Sequence, residues 1–138
     1  MTAKEYLEQA RYLDMRINSK LEQVASLNNL ATKCTAILTG MPHGSNKNTS
    51  QMSDTIDKII DLESEINNDI DYLVDLKKEI SETISKVDDT EYRTILEKRY
   101  LCFESWEKIS KEMLREKRWI QKLHNRALEK VDVILKKI

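Results

Sequence analysis

Turn-forming residues are scarce in this sequence. Its 138 residues contain two glycines and one proline, whereas average usage is roughly 7% and 5%. Doubly wound α/β folds need glycine-rich turns after their strands, and all-β folds need many Gly, Pro and Asn turns. The composition therefore disfavours both classes and predicts an all-α protein with few loops.

Cysteines and long apolar runs are also scarce. Cys34 and Cys102 are the only cysteines and form no CxxC pair, which indicates free thiols in a reducing cytoplasm. The first twenty residues carry charges throughout and lack the apolar region of a signal peptide. No segment approaches the ~20 apolar residues of a membrane span. We therefore expect a cytoplasmic protein with no membrane partner.

Patterns that indicate catalysis or metal binding are missing as well. The sequence contains no glycine-rich phosphate loop, nucleophile elbow or Ser/His/Asp arrangement. His43 and His124 are isolated, and they form no metal-ligand spacing with the cysteines. In a chain with 34% charged residues, acidic pairs such as Asp88 and Asp89 are expected to be helix caps or solvated faces. We predict no enzyme activity, no metal and no cofactor.

Two long heptad patterns occupy residues 3–38 and 52–87, separated by a polar segment over 39–51 that holds the only proline and both glycines. Ten of the eleven first-heptad seam positions are apolar or small, with Lys20 the exception, and nine of eleven are apolar in the second. This spacing predicts an antiparallel, coiled-coil-like helical hairpin over residues 1–87. Apolar residues off the seam predict homo-oligomerisation or docking of a partner or of the C-terminal part. They are Leu7, Leu21, Leu30, Ile60, Leu62, Val74 and Leu76.

Residues 88–138 are predicted to form a second, helix-turn-helix domain. Asp88 with Glu91 resembles a capping box before a short helix over 89–101, and Ser105 begins the next helix. A turn is expected over 114–116, followed by a last helix from Lys117 toward the C-terminus. Ser110 is the small residue that a close helix crossing requires.

Charge is divided unevenly along the chain. Residues 1–90 carry 10 basic and 16 acidic residues, a net charge of −6, and residues 91–138 carry 13 basic and 8 acidic residues, a net charge of +5. On a helical wheel of the last helix, one face is apolar and another holds only basic and amide side chains, which donate to phosphates and base edges. The apolar face comprises Ile120, Leu123, Ala127, Val131 and Ile134. The polar face comprises Lys117, Arg118, Gln121, Lys122 and Asn125.

Several residues of the stretch 91–131 have the order and spacing of a known motif: Arg93, Ile95, Leu96, Arg99, Tyr100, 106–109, Ile120, Leu123 and 127–131. Through them the stretch resembles region 4 of the sigma-70 family, the helix-turn-helix that reads the −35 promoter element. The whole chain resembles small phage and prophage proteins that join a helical segment to a sigma-like half. Glu116 and Arg115 depart from the sigma pattern, which often has Ser or Thr at the helix cap and an apolar residue in the turn. No counterpart of the region that melts the −10 element is found, so an autonomous sigma factor is not expected.

The resemblance implies that Lys117, Arg118, Gln121 and Lys122 contact double-stranded DNA, and the helical wheel selects the same four residues independently. Asn125, the fifth residue of the polar face, is a further DNA-contact candidate. Lys108, Lys111 and Arg115 are further candidates for phosphate contacts. We expect a sequence-specific DNA-binding transcription regulator whose hairpin self-associates or contacts RNA polymerase. Two alternatives stay open: the DNA-binding small subunit of a phage packaging machine, and a coiled-coil adaptor with no DNA role.

Overall fold

The computed structural model describes the backbone of residues 1–40 and 46–137 and the side chains of residues 1–33 and 50–137. All regular structure in these ranges is helical, which confirms the all-α prediction. None of the described helices is long and apolar enough to cross a membrane. The helices are α1 (Ala3–Gly40), α2 (Asn46–Ser85), α3 (Thr90–Leu96), α4 (Trp106–Met113) and α5 (Lys117–Lys136). The last turn of α3 continues as a π-helical segment, Glu97–Leu101.

The helices α1 and α2 are longer than the heptads alone predicted. Residues 39–40 and 46–51 are helical, although the sequence analysis assigned them to a loop, and residues 41–45 lie outside the described part. No glycine or proline occurs over 46–51, so nothing there opposes a helix. Ser53 and Asp54, the two residues whose side chains could cap a helix that starts with the second heptad, lie inside α2 instead, because α2 begins at Asn46.

The seam of α1 follows the predicted heptad. Every predicted seam residue of α1 whose side chain is described, from Ala3 to Ala31, is buried or half-buried. Thr2 caps the helix, because its Oγ1 accepts a hydrogen bond from the backbone N–H of Glu5 at 3.2 Å.

The buried stripe of α2 agrees with the predicted seam at every second position and lies one residue before it at the others. Leu62 and Leu76 are buried, whereas Glu63 and Ile70, which occupied predicted seam positions, are exposed. Both stripes of α2 are rich in Ile and Leu, so periodicity alone does not choose between them. The buried stripe is spaced by three and four residues, as a helix-packing seam requires. Its apolar members are Ile59, Leu62, Ile66, Leu73, Leu76, Ile80 and Ile84, and Val87, just after the helix, is buried as well.

The chain forms two compact units. One unit contains Met1–Asp14 and Leu73–Ile138, and the other contains Met15–Tyr72. In the first unit the backbone N–H of Ala3 donates to Asp132 Oδ1 of α5 at 2.9 Å. The hydroxyls of Tyr6 and Thr83 are also hydrogen-bonded, at 3.2 Å. These contacts connect the first turns of α1 to α5 and to the end of α2.

The helices α3, α4 and α5 share one core, formed by Ile95, Ile109, Ile120 and Leu123. Tyr92, Trp106 and Met113 pack against it. The caps place each helix start: Asp89 accepts from the N–H of Tyr92 at 3.0 Å, and Ser105 accepts from the N–H of Lys108 at 3.2 Å. The cap at Ser105 is as predicted, whereas Asp89 takes the position predicted for Asp88.

Candidate nucleic-acid interface

A three-residue turn, Leu114–Glu116, joins α4 to α5. Leu114 has the left-handed conformation, with φ 55° and ψ 42°, which ends a helix at low cost only for residues such as glycine. The Arg115 N–H donates to the Ser110 carbonyl at 3.1 Å, and the Ser110 hydroxyl donates to the Arg115 carbonyl. Ser110 therefore closes the turn with its hydroxyl, in addition to being small.

The helix α5 has a buried face and an exposed face, as the helical wheel predicted. Ile120, Leu123, Ala127 and Val131 are buried. No acidic side chain occurs from Lys117 to Leu128, so the exposed face carries no negative charge of its own over its first three turns. Five candidate DNA-contacting residues are exposed on it: Lys117, Arg118, Gln121, Lys122 and Asn125.

Carboxylates engage some of the candidate cations. Lys117 Nζ lies 2.7 Å from Glu107 Oε1, and Arg115 Nε lies 3.2 Å from Glu91 Oε1. The Lys117 ammonium, hydrogen-bonded to Glu107, lowers the pKa of that carboxyl. Three other candidate cations have no ion-pair partner among the described side chains: Lys111, Arg118 and Lys122.

Lys108 belongs to a four-residue charge network. Its Nζ lies 3.6 Å from Glu104 Oε1 and 3.8 Å from Glu112 Oε1, and Lys98 contacts the same two carboxylates. The hydrogen bond that the Lys98 ammonium donates to the Glu112 carboxylate raises the pKa of Lys98. These contacts join the loop after the π-helical segment to α4, and Lys108, whose side chain is 61% exposed, shares both carboxylates with Lys98.

A buried polar pair lies beneath the exposed face. The Tyr100 hydroxyl and His124 Nε2 are hydrogen-bonded at 2.6 Å, and the Trp106 ring stands edge-on to His124 with 4.6 Å between centroids. Burial, with smaller contributions from Lys4 and Arg99, lowers the pKa of His124 to about 4. In the sequence His124 stands alone, with no other histidine or cysteine near it. Only its position beside the apolar face of α5 indicated that it is buried, because its partner Tyr100 lies 24 residues away.

The described part of the chain contains no group of three or more His, Cys, Asp and Glu side chains that could hold a metal ion. Cys102 is a free, exposed thiol, and the side chain of Cys34 and all of His43 lie outside the described residues.

Comparison with known proteins gives no relative for this chain. No protein-family model matches it, and no curated protein or solved structure is significantly similar to it.

Proposed function

We propose that this chain is a sequence-specific double-stranded DNA-binding protein, a transcription regulator of the phage or prophage type. The observation that carries the proposal is the exposed face of α5, where cations and amides lie together without a carboxylate while the opposite face is buried. Such side chains read guanine and adenine edges in the major groove and bind phosphates.

The pairing of α4 with α5 supports a helix-turn-helix reading. The helices are joined by a short turn and share a core, as in proteins whose second helix enters the major groove. Arg118, Gln121 and Lys122 at the front of α5 are then the base-reading candidates. Lys111 and Arg115 lie before them and would contact phosphates.

Contacts between α1 and α2 support the hairpin part of the proposal. In one unit Tyr6 contacts Thr83, and in the other Lys20 Nζ lies 2.6 Å from Asp69 Oδ2. Within the first unit the start of α1 therefore contacts the end of α2, as expected for an antiparallel pair. The hairpin would mediate self-association or contact RNA polymerase.

Exposed apolar side chains on α2 favour self-association and keep a packaging subunit as a second candidate. Ile56, Ile60 and Ile70 are all at least 41% exposed. A dimer would match two DNA half-sites, whereas a packaging subunit would form a ring of many copies. The mass of the particle in solution distinguishes these two. A coiled-coil adaptor would bind no DNA at all.

Selection of bound duplexes from a random pool, followed by affinity measurements on variants, tests the proposal. Arg118→Ala should weaken binding to the selected site by about 1–3 kcal/mol and relax the preference at one base pair. Lys111→Ala should weaken binding to all sequences alike and lower the salt slope by about one. Lys78→Ala, an exposed lysine of α2, is the control. Equal small effects of all three changes, or no binding at low salt, would contradict the proposal.

A further inference from the structure

A recess of about 290 Å³ lies beside the exposed face of α5 and is bordered by Gln121 and Asn125 of that face. Its other walls include Lys4 of α1, Arg99 of the π-helical segment and Trp106 of α4. All of these residues belong to one compact unit. The recess therefore brings two cations and two amide side chains to one place, and the sequence analysis assigned no role to either cation.

Arg99 is the unusual member of this set, because it is a half-buried cation without a counter-ion. Its guanidinium carbon lies 4.5 Å from the centroid of the Trp106 ring, and its Nη1 donates to the Glu104 carbonyl at 2.9 Å. No ion pair joins it to any described carboxylate. Burial lowers the pKa of Arg99, as expected where a charge is partly desolvated. A guanidinium has five N–H donors, so donors are left for a ligand.

Lys4 supplies the second positive charge. It is exposed, and the described side chains offer it no ion pair. Glu8 is the one carboxylate that lines the recess, and it accepts a hydrogen bond from the Tyr12 hydroxyl at 3.4 Å. His124 also lines the recess, but its lowered pKa keeps the ring neutral at pH 7. The walls of the recess therefore carry two positive charges, on Lys4 and Arg99, and one negative charge, on Glu8.

We propose that this recess binds a phosphate group, held by charge-assisted hydrogen bonds from Arg99 and Lys4 and by the amides of Gln121 and Asn125. Arginine pairs with oxyanions through two parallel N–H bonds, and the contact of the Arg99 guanidinium with the face of the Trp106 ring stabilises its position. The phosphate can come from a free small molecule or from the backbone of DNA. The proposed phosphate site depends only on these contacts and does not require that the chain bind DNA sequence-specifically.

Trp106 offers a direct probe. The chain has two tryptophans, so a Trp119→Phe variant leaves Trp106 as the only one. Titration with inorganic phosphate and pyrophosphate, at ionic strength held constant with sodium chloride, should give a saturable change in Trp106 fluorescence. Arg99→Gln should weaken binding about tenfold or more, the factor expected for a lost hydrogen bond between charged groups. Lys4→Gln should weaken it several-fold, and Glu8→Gln should tighten it.

Two exposed residues outside the recess provide controls for the charge change. Lys78→Gln and Arg16→Gln should leave the titration unchanged. Because Arg99 also packs on Trp106, circular dichroism must show that Arg99→Gln is folded. If it is not, Lys4→Gln and Glu8→Gln, which act in opposite directions, decide the question.

A short duplex distinguishes the two sources of phosphate. Saturation by inorganic phosphate or pyrophosphate, sensitive to Lys4 and Arg99, assigns a free anion, even if no duplex binds and the DNA proposal fails. A response to duplex alone, with Arg99→Gln and Lys4→Gln each lowering the salt slope by about one, assigns the DNA backbone. A probe that responds to neither, or whose response ignores both substitutions, would overturn the proposal.

Discussion

At the scale of single residues, His124 couples the stability of the C-terminal helices to pH. Its ordinary pKa of 6.5 falls to about 4 in the folded chain because burial disfavours the charged ring. Between these two values the unfolded chain binds more protons than the folded one, so the free energy of unfolding falls as the pH falls from about 6.5 toward about 4.

We therefore expect urea denaturation between pH 7 and pH 4 to show a loss of stability of at most about 3 kcal/mol that belongs to His124. His124→Gln keeps a hydrogen-bonding group for Tyr100 but cannot titrate. The difference between the two denaturation profiles isolates the histidine from the carboxylates that titrate in the same range. Parallel profiles for the two proteins would show that the folded chain does not hold this ring neutral.

If α5 binds DNA as proposed, Glu107 would compete with DNA phosphates for Lys117 at the start of that helix. The two side chains are exposed and lie 2.7 Å apart, so the carboxylate reduces the charge that Lys117 offers to phosphate. Glu107→Gln should tighten duplex binding about two- to fivefold at low salt, and the gain should shrink as salt is added. Fluorescence anisotropy measures it. Glu129→Gln removes an exposed negative charge from α5 that pairs with no described cation, and it should change binding less. An equal gain in both variants would point to net charge alone.

Residue roles that depend on a single helix were predictable, and those that depend on two elements were not. The exposed face of α5 follows from a 100° step along the sequence, and the cap at Ser105 follows from local spacing. The pairs Tyr100–His124 and Lys117–Glu107 join different helices. Their distances depend on how the helices pack, which neither periodicity nor charge pattern specifies.

At the scale of helices, α2 shows where periodicity stops being informative. Ile70 and Leu76 are both apolar, yet Ile70 is exposed and Leu76 is buried. Two stripes one residue apart both satisfy a heptad, and tertiary packing chooses between them. Lys20, the polar exception in the seam of α1, is paired with Asp69. Asp69 lies in the buried stripe of α2, so the charged residue in the seam of α1 pairs with a charged residue in the buried stripe of α2.

This pair should act as a coupled unit within α1 and α2. The side chains of Lys20 and Asp69 are only 16% and 24% exposed. Removing one partner, as in Lys20→Met or Asp69→Asn, should lower the free energy of unfolding by about 1–3 kcal/mol, because the other charge is left partly buried. Replacing both by leucine should restore stability or exceed the original.

A double-mutant cycle from chemical denaturation measures the coupling between Lys20 and Asp69. Glu65 is the matched control: it lies 3.9 Å from Lys20 but is 58% exposed, so Glu65→Gln should cost less than about 0.5 kcal/mol. Additive single effects for Lys20 and Asp69 would show that the ion pair contributes nothing specific to the seam.

At the scale of the whole molecule, charge and exposed apolar surface suggest different partners for different parts of the chain. The first 90 residues have a net charge of −6, which disfavours contact with DNA, and the last 48 have a net charge of +5. Exposed large apolar side chains occur on α2 at Ile56, Ile60 and Ile70. A chain organised in this way would bind DNA through α5 and other protein through α2.

Self-association through α2 should strengthen binding to a site with two half-sites. Ile60 is 57% exposed and belongs to the compact unit that does not contain α5. Ile60→Lys should shift the sedimentation profile toward monomer and weaken binding to a two-half-site duplex at least about tenfold, because linked half-site contacts are lost. Binding to an isolated half-site should not weaken.

The variant Ser64→Lys is the control, because it adds the same charge at an exposed position of α2, and it should leave both self-association and duplex binding unchanged. If the original protein sediments as a monomer at micromolar concentration, or if Ile60→Lys and Ser64→Lys behave alike, the apolar stripe of α2 is not the self-association surface.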